Sequence, residues 1–289
     1  MKNIFAYICI LFVLLSCKKN NEDVLTTNEN TENYIYISHL RKSYNDTNSY
    51  TTIANPYMDK RIENLDYSKY KMLLLGGDLT ILTSADNETI SRVDSIFNLG
   101  KETTLWSLGN HDTADINRVQ YFTHRPTFYT YYRNKVTFIV LNTQENGMDI
   151  INEQLQMINN VVDTIKNSKH LIVMHHVLLW MYANPDLEPL IDSISNIPWG
   201  TCEYCFRENN FYTDVYPKLL EVKNKGIDVI CVAGDIGLKV KEFEYQTNEG
   251  IQFLASGMEA DSLGNKVLIF KNNLETNKLD WSFIPLSNL

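Results

Sequence analysis

The sequence predicts an α/β domain whose sheet is parallel or mixed, because short apolar runs alternate with longer amphipathic stretches after residue 33. The short runs are apolar at nearly every position and rich in β-branched residues, as strands buried on both faces are. The longer stretches carry apolar residues at helical spacing, with polar residues on the opposite face. Polar residues directly follow most of the predicted strands, and ligands of open α/β sheets bind at that end.

The predicted strands cover residues 34–38, 71–76, 103–109, 135–142, 170–176 and 227–234. Helices are predicted within residues 85–99, 151–168 and 212–226, and Gly226 suits a helix C-cap. Three more apolar runs, at residues 251–258, 266–273 and 279–286, follow one another without a helix and predict a β meander. Residues 34–289 show no internal boundary and are expected to form one domain.

Charge excludes one class of partner. The chain has 289 residues and a net charge of -9, and its 26 lysines and arginines are scattered along the sequence. A protein that binds the nucleic-acid backbone needs a clustered basic surface. No nucleic-acid partner is therefore expected.

Residues 1–17 have the layout of a signal peptide, with Lys2 ahead of an apolar run that is short for a membrane span. The Leu-Leu-Ser-Cys stretch at residues 14–17 resembles the lipobox of bacterial lipoproteins, in which the cysteine becomes the lipidated N-terminus. Cys17 is thus the predicted lipidation site, and residues 18–33 are polar enough to form a solvated tether. The resemblance implies an exported protein, anchored at the outer membrane of the bacterial cell envelope through its lipid alone. A buried strand or an uncleaved anchor is the alternative.

The remaining cysteines are expected to be structural. Cys202 and Cys205 form a C-x-x-C pair, which in an exported protein favours a local disulfide over half of a zinc site. Cys231 lies within an apolar run and is expected to be a buried small hydrophobe.

Five of the six predicted strands end in potential metal ligands or charged groups. These residues are His39 and Arg41, Asp78, Asn110, His111 and Asp112, His175 and His176, and Asp235. Each alone has an ordinary explanation, because an aspartate after a strand is usually a helix N-cap and a histidine there usually a hydrogen-bonded surface residue. Their joint occurrence favours a site of carboxylate, amide and imidazole ligands, which suit Mn, Fe, Zn or Mg.

The order of these motifs resembles the calcineurin-like metallophosphoesterases. Gly77-Asp78, the Gly-Asn-His-Asp stretch at residues 109–112 and His175 after Leu-Ile-Val-Met match three of that family's five sequence blocks. The resemblance implies a sandwich of two mixed β-sheets flanked by helices, with a two-metal centre at the strand ends. It also implies hydrolysis of a phosphomonoester or phosphodiester, in which metal ions polarise a phosphoryl oxygen and acidify water.

The same resemblance implies roles for individual residues. Asp78 would bridge the two metals, and Asn110 and His175 would bind the second metal. His111 would hydrogen-bond the phosphate and protonate the leaving group. Asp112 would orient the His111 imidazole, which needs a fixed tautomer for that task.

The first and fifth blocks depart from the family's pattern. His39, Arg41 and Gly237 stand where three ligands of the first metal are expected, and a guanidinium does not bind metal. Asp235 stands where the family places a histidine, and a carboxylate can replace an imidazole as a ligand. We therefore expect one divalent metal, with two as the alternative. Its expected ligands are Asp78, Asn110, His175 and Asp235.

Arg41 is expected to hold the substrate phosphate beside the vacant first position, because a guanidinium makes bidentate contacts with phosphate. It therefore joins His111 and Asp112 as a predicted catalytic residue. His39, His176 and Asn110 are further expected contacts of a small phosphorylated or envelope-derived substrate. The competing hypothesis is a surface protein that kept the scaffold and binds a ligand, or assists envelope processes, without turnover.

Overall fold

The computed structural model describes residues 30–41, 57–196, 208–259 and 261–289. Two mixed β-sheets pack face to face with helices on their outer faces, which confirms the predicted fold class. The predictions for the signal peptide, for Cys17 and for the Cys202–Cys205 pair concern residues outside these ranges. Within them, no helix is long and apolar enough to cross a membrane.

The strands are β1 (Thr31–Ile37), β2 (Met72–Leu75), β3 (Thr104–Trp106), β4 (Tyr129–Arg133), β5 (Val136–Val140), β6 (His170–His175), β7 (Asp228–Ala233), β8 (Glu242–Gln246), β9 (Gln252–Ser256), β10 (Lys266–Asn273) and β11 (Lys278–Pro285). The α-helices are α1 (Lys60–Glu63), α2 (Asn87–Phe97), α3 (Ile116–Thr123), α4 (Asn152–Thr164), α5 (Ile191–Ile194) and α6 (Tyr216–Asn224). Gly226 follows α6 with a φ of +77°, which confirms the predicted glycine at its C-terminal end.

Each sheet has a parallel centre. The five-stranded sheet runs in the order β11-β10-β1-β2-β3, with β1, β2 and β3 parallel. The six-stranded sheet runs in the order β4-β5-β6-β7-β9-β8, with β5, β6, β7 and β9 parallel. Because parallel strands end at the same edge, the loops after β1, β2, β3, β6 and β7 gather at one end of the sandwich.

Three apolar layers hold the domain together. The middle layer lies between the sheets and contains Tyr34 and Tyr36 from β1 against Phe138 and Ile172 from the other sheet. An outer layer packs α2 and α3 on the five-stranded sheet, and another packs α4 and α6 on the six-stranded sheet. The central strands are therefore buried on both faces, as their continuous apolar sequences predict. Cys231 is fully buried in the outer layer of the larger sheet, which confirms the expectation for this residue.

The predicted β meander at the end of the chain is wrong in one respect. β10 and β11 form an antiparallel hairpin in the five-stranded sheet, but β9 lies in the other sheet, between β7 and β8. The runs have similar apolar composition, so the sequence does not indicate that the chain changes sheets after β9. Two edge strands, β4 and β8, were also not predicted. Both are half-exposed and rich in tyrosine or glutamate, so they lack the apolar runs of the central strands.

Candidate functional site

The two Gly-Asp stretches of the sequence meet at the end of the sandwich where the parallel strands stop. Asp78 follows β2 in one sheet, and Asp235 follows β7 in the other. A Cβ atom added to Gly234 would lie 2.0 Å from the carbonyl oxygen of Gly76, so the two strand ends touch backbone to backbone. Glycine at this contact lets the sheets converge and brings the following aspartates into one space.

Four side chains form what we call the histidine–aspartate cluster: His39, Asp78, His176 and Asp235. The Oδ2 atom of Asp78 lies 3.9 Å from His39 Nε2, and its Oδ1 atom lies 3.6 Å from His176 Nε2. His176 Nε2 also lies 3.9 Å from Asp235 Oδ1. Every side chain of the cluster is at most 5% exposed. Two carboxylates and two imidazoles are thus held together away from bulk water.

The backbone at this cluster is unusual. His39 and Asp78 have φ values of 52° and 53°, in the left-handed region that non-glycine residues rarely adopt. The His39 N–H donates to the Gly77 carbonyl oxygen, at 2.8 Å, which fixes the two loops against each other. Strained backbone of this kind persists where the surrounding structure holds it, and it occurs frequently at functional sites.

The buried histidines share one hydrogen-bonding pattern. The Nδ1 atoms of His39, His175 and His176 lie 2.9, 2.5 and 2.7 Å from the carbonyl oxygens of Met258, Val177 and Gly76. A carbonyl oxygen only accepts, so each Nδ1 carries a proton and donates it. The Nε2 atom of each ring is buried and has no hydrogen-bond partner among the described residues. This is the tautomer that a metal-binding histidine adopts when its other nitrogen donates to the backbone.

Burial keeps two of these imidazoles neutral. It lowers the pKa of His39 to about 3, with the Arg41 guanidinium acting in the same direction. Burial likewise lowers the pKa of His175 to about 4. At neutral pH both Nε2 atoms therefore present a lone pair.

The pKa values of the other three groups of the cluster are set by burial and by one another's charges. Burial alone would lower the pKa of His176, but the carboxylates of Asp78 and Asp235 raise it above its usual value. Burial would raise the pKa of Asp78, but the neighbouring His176, His111 and Arg41 hold it below its usual range. Burial raises the pKa of Asp235. A proton on His176 Nε2 and a cation bound there would thus compete for the same position.

Asp112 does not orient His111, contrary to the sequence-based expectation. Its Oδ2 accepts from the backbone N–H groups of Asp78 at 2.7 Å and Gly109 at 2.9 Å. Its Oδ1 accepts from the Leu79 N–H at 3.1 Å and the Thr83 hydroxyl at 2.6 Å. The carboxylate therefore ties the loop after β2 to the loop after β3. It positions Asp78 through the backbone and, within the described part of the chain, makes no hydrogen bond to an imidazole.

Arg41 and His111 form a pair at the edge of the cluster. Arg41 Nη1 contacts His111 Nε2, and the His111 backbone N–H donates to Asp78 Oδ1 at 3.0 Å. Since the guanidinium only donates, His111 accepts at Nε2 and carries its own proton on Nδ1. That Nδ1 atom is buried and has no hydrogen-bond partner among the described residues. The pair thus offers a cation and an unused donor beside Asp78.

The structure brings some predicted ligands together and leaves others apart. Asp78 and Asp235 flank His176, for which the sequence predicts contact with the substrate. His175 makes no ion-pair contact with either carboxylate among the described residues. Asn110 lies half-buried in the helical turn that carries His111. Gly237 has a φ of +140°, and a Cβ there would lie 2.2 Å from the Met258 carbonyl oxygen, so this position admits no side chain without a backbone shift.

As the side chains stand, no three His, Cys, Asp or Glu residues of the described ranges converge on one point that could hold a metal ion. The cluster is instead a chain of pairs, from His39 to Asp78 to His176 to Asp235, each separated by 3.6–3.9 Å. Two ligands that each lie about 2.1 Å from one ion are roughly 3 to 3.6 Å apart. The donor types and the free Nε2 atoms fit a divalent ion, and binding would require the side chains to close inward.

Comparison with known proteins finds likeness in fold. No protein-family model matches the chain, and no curated protein matches its sequence. Three of the solved structures that resemble it each match over 88% of this chain. A dimetal phosphatase from Danio rerio is 10% identical with a TM-score of 0.47, and 99% of that protein is covered. An NAD nucleotidase from Haemophilus influenzae is 14% identical with a TM-score of 0.42 and 50% coverage, and a 5'-nucleotidase precursor from Thermus thermophilus is 10% identical with a TM-score of 0.40 and 54% coverage. The chain spans about half the length of the two nucleotidases. Likeness at this level concerns the general fold, so any functional assignment depends on the residues of the chain itself.

Proposed function

We propose that this protein hydrolyses phosphate esters at the histidine–aspartate cluster with the help of a divalent metal ion. The observation that carries the proposal is the hydrogen bonding of the His39 and His176 rings. Each buried ring donates from Nδ1 to a backbone carbonyl and turns a free Nε2 towards Asp78, within 4 Å of its carboxylate. A buried nitrogen without a partner is costly, and a metal ion would satisfy both rings and the carboxylate together.

His39, Asp78, His176 and Asp235 would hold the ion. Carboxylate and neutral imidazole ligands suit Mn, Fe, Zn or Mg, and no thiolate is present among them. When bound, the ion would supply positive charge to a phosphoryl oxygen and acidify a water molecule. This ligand set differs from the sequence-based set, in which His175 and Asn110 stood in place of His39 and His176.

Arg41 would bind the phosphate next to the ion. Arg41 is half-buried at the edge of the cluster, and its guanidinium touches His111. A guanidinium pairs with phosphate through two parallel hydrogen bonds. The Nδ1–H of His111, which has no partner in the part of the chain that the structure describes, would donate to the phosphate or to the leaving group. We further propose that the reaction takes place in the cell envelope, on a substrate reached from the lipid anchor at Cys17.

The test measures bound metal and activity in the same preparations. We expect the full chain to retain a divalent ion by elemental analysis, and to hydrolyse aryl phosphate monoesters or diesters. His176→Gln should lower both metal content and activity, whereas Arg41→Gln should lower activity and leave the metal bound. The matched control is His124→Gln, since His124 is an exposed histidine at the end of α3. A protein that binds no metal, and whose thermal stability does not respond to Mn or Zn, would contradict the proposal.

A second candidate function is ligand binding without turnover. One observation favours it, since no three potential ligands converge on one point in the described residues. In that case the full chain would bind inorganic phosphate, with the same dependence on Arg41, and would hydrolyse none of the aryl esters.

A further inference from the structure

A second cleft lies at the opposite end of the sandwich, where the strands of the six-stranded sheet begin. Its volume is about 560 Å³. The walls come from the starts of β6, β7, β9 and β11, the end of β8, the last turn of α6 and the turn between β10 and β11. The cleft is therefore bounded by both sheets and is separate from the histidine–aspartate cluster. A pocket of this size takes a small molecule.

The floor of this cleft is rigid. His170 is buried, and its Nε2–H donates to the Asn277 carbonyl oxygen at 2.8 Å, which joins β6 to the turn between β10 and β11. Gln252 is also buried, and its amide donates to Glu244 at 3.2 Å. Groups held in this way keep their positions when a ligand arrives, so little ordering cost is incurred on binding.

The charges along the walls cancel in pairs. Lys223 Nζ lies 2.9 Å from Asp228 Oδ1, and Lys278 Nζ lies 2.7 Å from Asp280 Oδ1. No cation or anion among these four is left to attract an ion of opposite charge. The cleft therefore suits a ligand without net charge.

The remaining wall groups combine an aromatic ring with neutral polar side chains. Trp281 packs one part of its indole against the layer between the sheets, and another part lines the cleft. Gln246, Thr276 and Asn277 line the cleft beside it. Amide and hydroxyl groups both donate and accept hydrogen bonds, as the hydroxyls of a sugar do. An indole face packs against the C–H face of a pyranose ring, which is apolar and flat.

From this combination we propose that the cleft binds a neutral carbohydrate, of about the size of a disaccharide. The sugar ring lies on Trp281, and its hydroxyls bond to Gln246, Thr276 and Asn277. This assignment stands independently of any chemistry at the histidine–aspartate cluster.

Isothermal titration calorimetry on the full chain tests the proposal, with cellobiose, maltose and N,N'-diacetylchitobiose as neutral probes and glucuronic acid and glucosamine as charged ones. At least one neutral disaccharide should bind. Gln246→Ala should weaken its binding about fivefold, as the loss of one hydrogen bond does. Trp281→Leu should weaken it further. The matched control is Gln120→Ala, since Gln120 is an exposed amide on α3.

Trp281→Leu removes some packing between the sheets and could destabilise the fold. If it does, the result for Gln246→Ala decides the test, because Gln246 is exposed. The proposal is overturned if no neutral disaccharide binds, or if binding is unchanged in Gln246→Ala. It is also overturned if a charged sugar binds at least as tightly with the same dependence on Gln246.

Discussion

The two ends of the sandwich hold polar clusters of opposite character between the same two sheets. At the end where the strands begin, Glu32 on β1 accepts from Arg133 on β4, with Arg133 Nε 3.0 Å from Glu32 Oε2. The Tyr34 hydroxyl also donates to Glu32, at 3.0 Å, and the Asn272 amide donates to Tyr34, at 2.9 Å. We call this group the Glu32 clasp. None of its side chains leaves a buried polar atom without a partner in the described residues.

The histidine–aspartate cluster, at the other end, leaves the Nε2 atoms of His39 and His176 without hydrogen-bond partners among residues 30–41, 57–196, 208–259 and 261–289. Unmet hydrogen-bonding capacity costs free energy of folding, whereas a satisfied network stabilises the fold. The comparison teaches that burial of polar groups alone does not indicate function. The Glu32 clasp, with its partners in place, joins the sheets, whereas the cluster leaves two imidazole nitrogens without a partner beside a carboxylate among the described residues.

The largest expected effect comes from Asp78→Asn. It should lower hydrolytic activity at least about 100-fold, because the carboxylate is the centre of the proposed ligand set. The free energy of unfolding should also fall, because His176, His111 and Arg41 hold the pKa of Asp78 below its usual range, so that its charge stabilises the folded state at neutral pH. Enzyme assays and urea denaturation measure the two effects, and Asp163→Asn, on the exposed face of α4, is the matched control. A large loss of stability without loss of specific activity would place Asp78 in the same class as the Glu32 clasp.

Gly234→Ala tests the contact that brings the two sheets together at the functional end. Its Cβ would lie 2.0 Å from the Gly76 carbonyl oxygen, so the backbone must shift. We expect a loss of about 3 kcal/mol in the free energy of unfolding, together with loss of activity. In Gly264→Ala the new Cβ would meet no atom closer than 3.8 Å, so this control should leave both measurements nearly unchanged.

Glu32→Gln breaks the clasp and should lower the free energy of unfolding by about 2 kcal/mol, because it leaves Arg133 without its carboxylate. Activity per folded molecule should not change, since the clasp lies at the far end of the sandwich. Glu275→Gln is the control at an exposed position. If Glu32→Gln abolished activity while the protein stayed folded, the two ends would be coupled and the comparison would fail.

The pH dependence of the free energy of unfolding should differ between the wild type and Glu32→Gln. Burial would raise the pKa of Glu32, but hydrogen bonds from Arg133, Asn134 and Tyr34 lower it below the usual value of 4.5. A lowered pKa means that the stabilisation is present above the unfolded-state value and is lost as the pH falls through the folded-state value. Denaturation curves of the wild type and Glu32→Gln should therefore differ at pH 7 and converge in acid. A difference that persists at low pH would contradict this origin.

The smallest effect is expected from Tyr34→Phe, which removes one hydroxyl from the clasp. A single buried hydrogen bond contributes about 1 kcal/mol, so the free energy of unfolding should fall by about that amount. Tyr121→Phe, at a residue that is 74% exposed, should have no measurable effect. A loss as large as that of Glu32→Gln would mean that the clasp behaves as one unit rather than as separate bonds.

Much of the fold could be predicted because its central strands are buried on both faces. Their continuous apolar runs, such as Leu-Ile-Val-Met in β6, identify strands whatever the tertiary arrangement. The half-exposed edge strands β4 and β8 lack that signal and were missed. The change of sheet after β9 was missed because apolar runs with similar composition indicate strands and give no partner for them.

The sequence indicated the end of the domain where the candidate residues lie, and the structure shows which of their side chains are neighbours. Polar residues after the strands predicted which end of the domain to inspect, and Asp78, Asp235 and Arg41 do lie there. The choice between His175 and His176 depends on which sheet face each residue meets. Adjacent residues point to opposite faces of a strand. His176 continues the row of Ile172 and Met174, which face the other sheet, whereas His175 continues the row of Leu171 and Val173, which face the helices.

By itself the sequence determined the α/β class, the central strands and the edge at which the polar residues collect. A strand buried on both faces is a continuous apolar run, and the residues at its carboxyl end follow that run directly along the chain. Only the tertiary structure decided which groups meet. A strand buried on both faces has no polar alternation to mark its two sides, so the assignment of His176 to the inner face could not be inferred from the chain. The contact between Gly234 and Gly76, which brings Asp235 and Asp78 to opposite sides of that imidazole, likewise exists only where two sheets pack together.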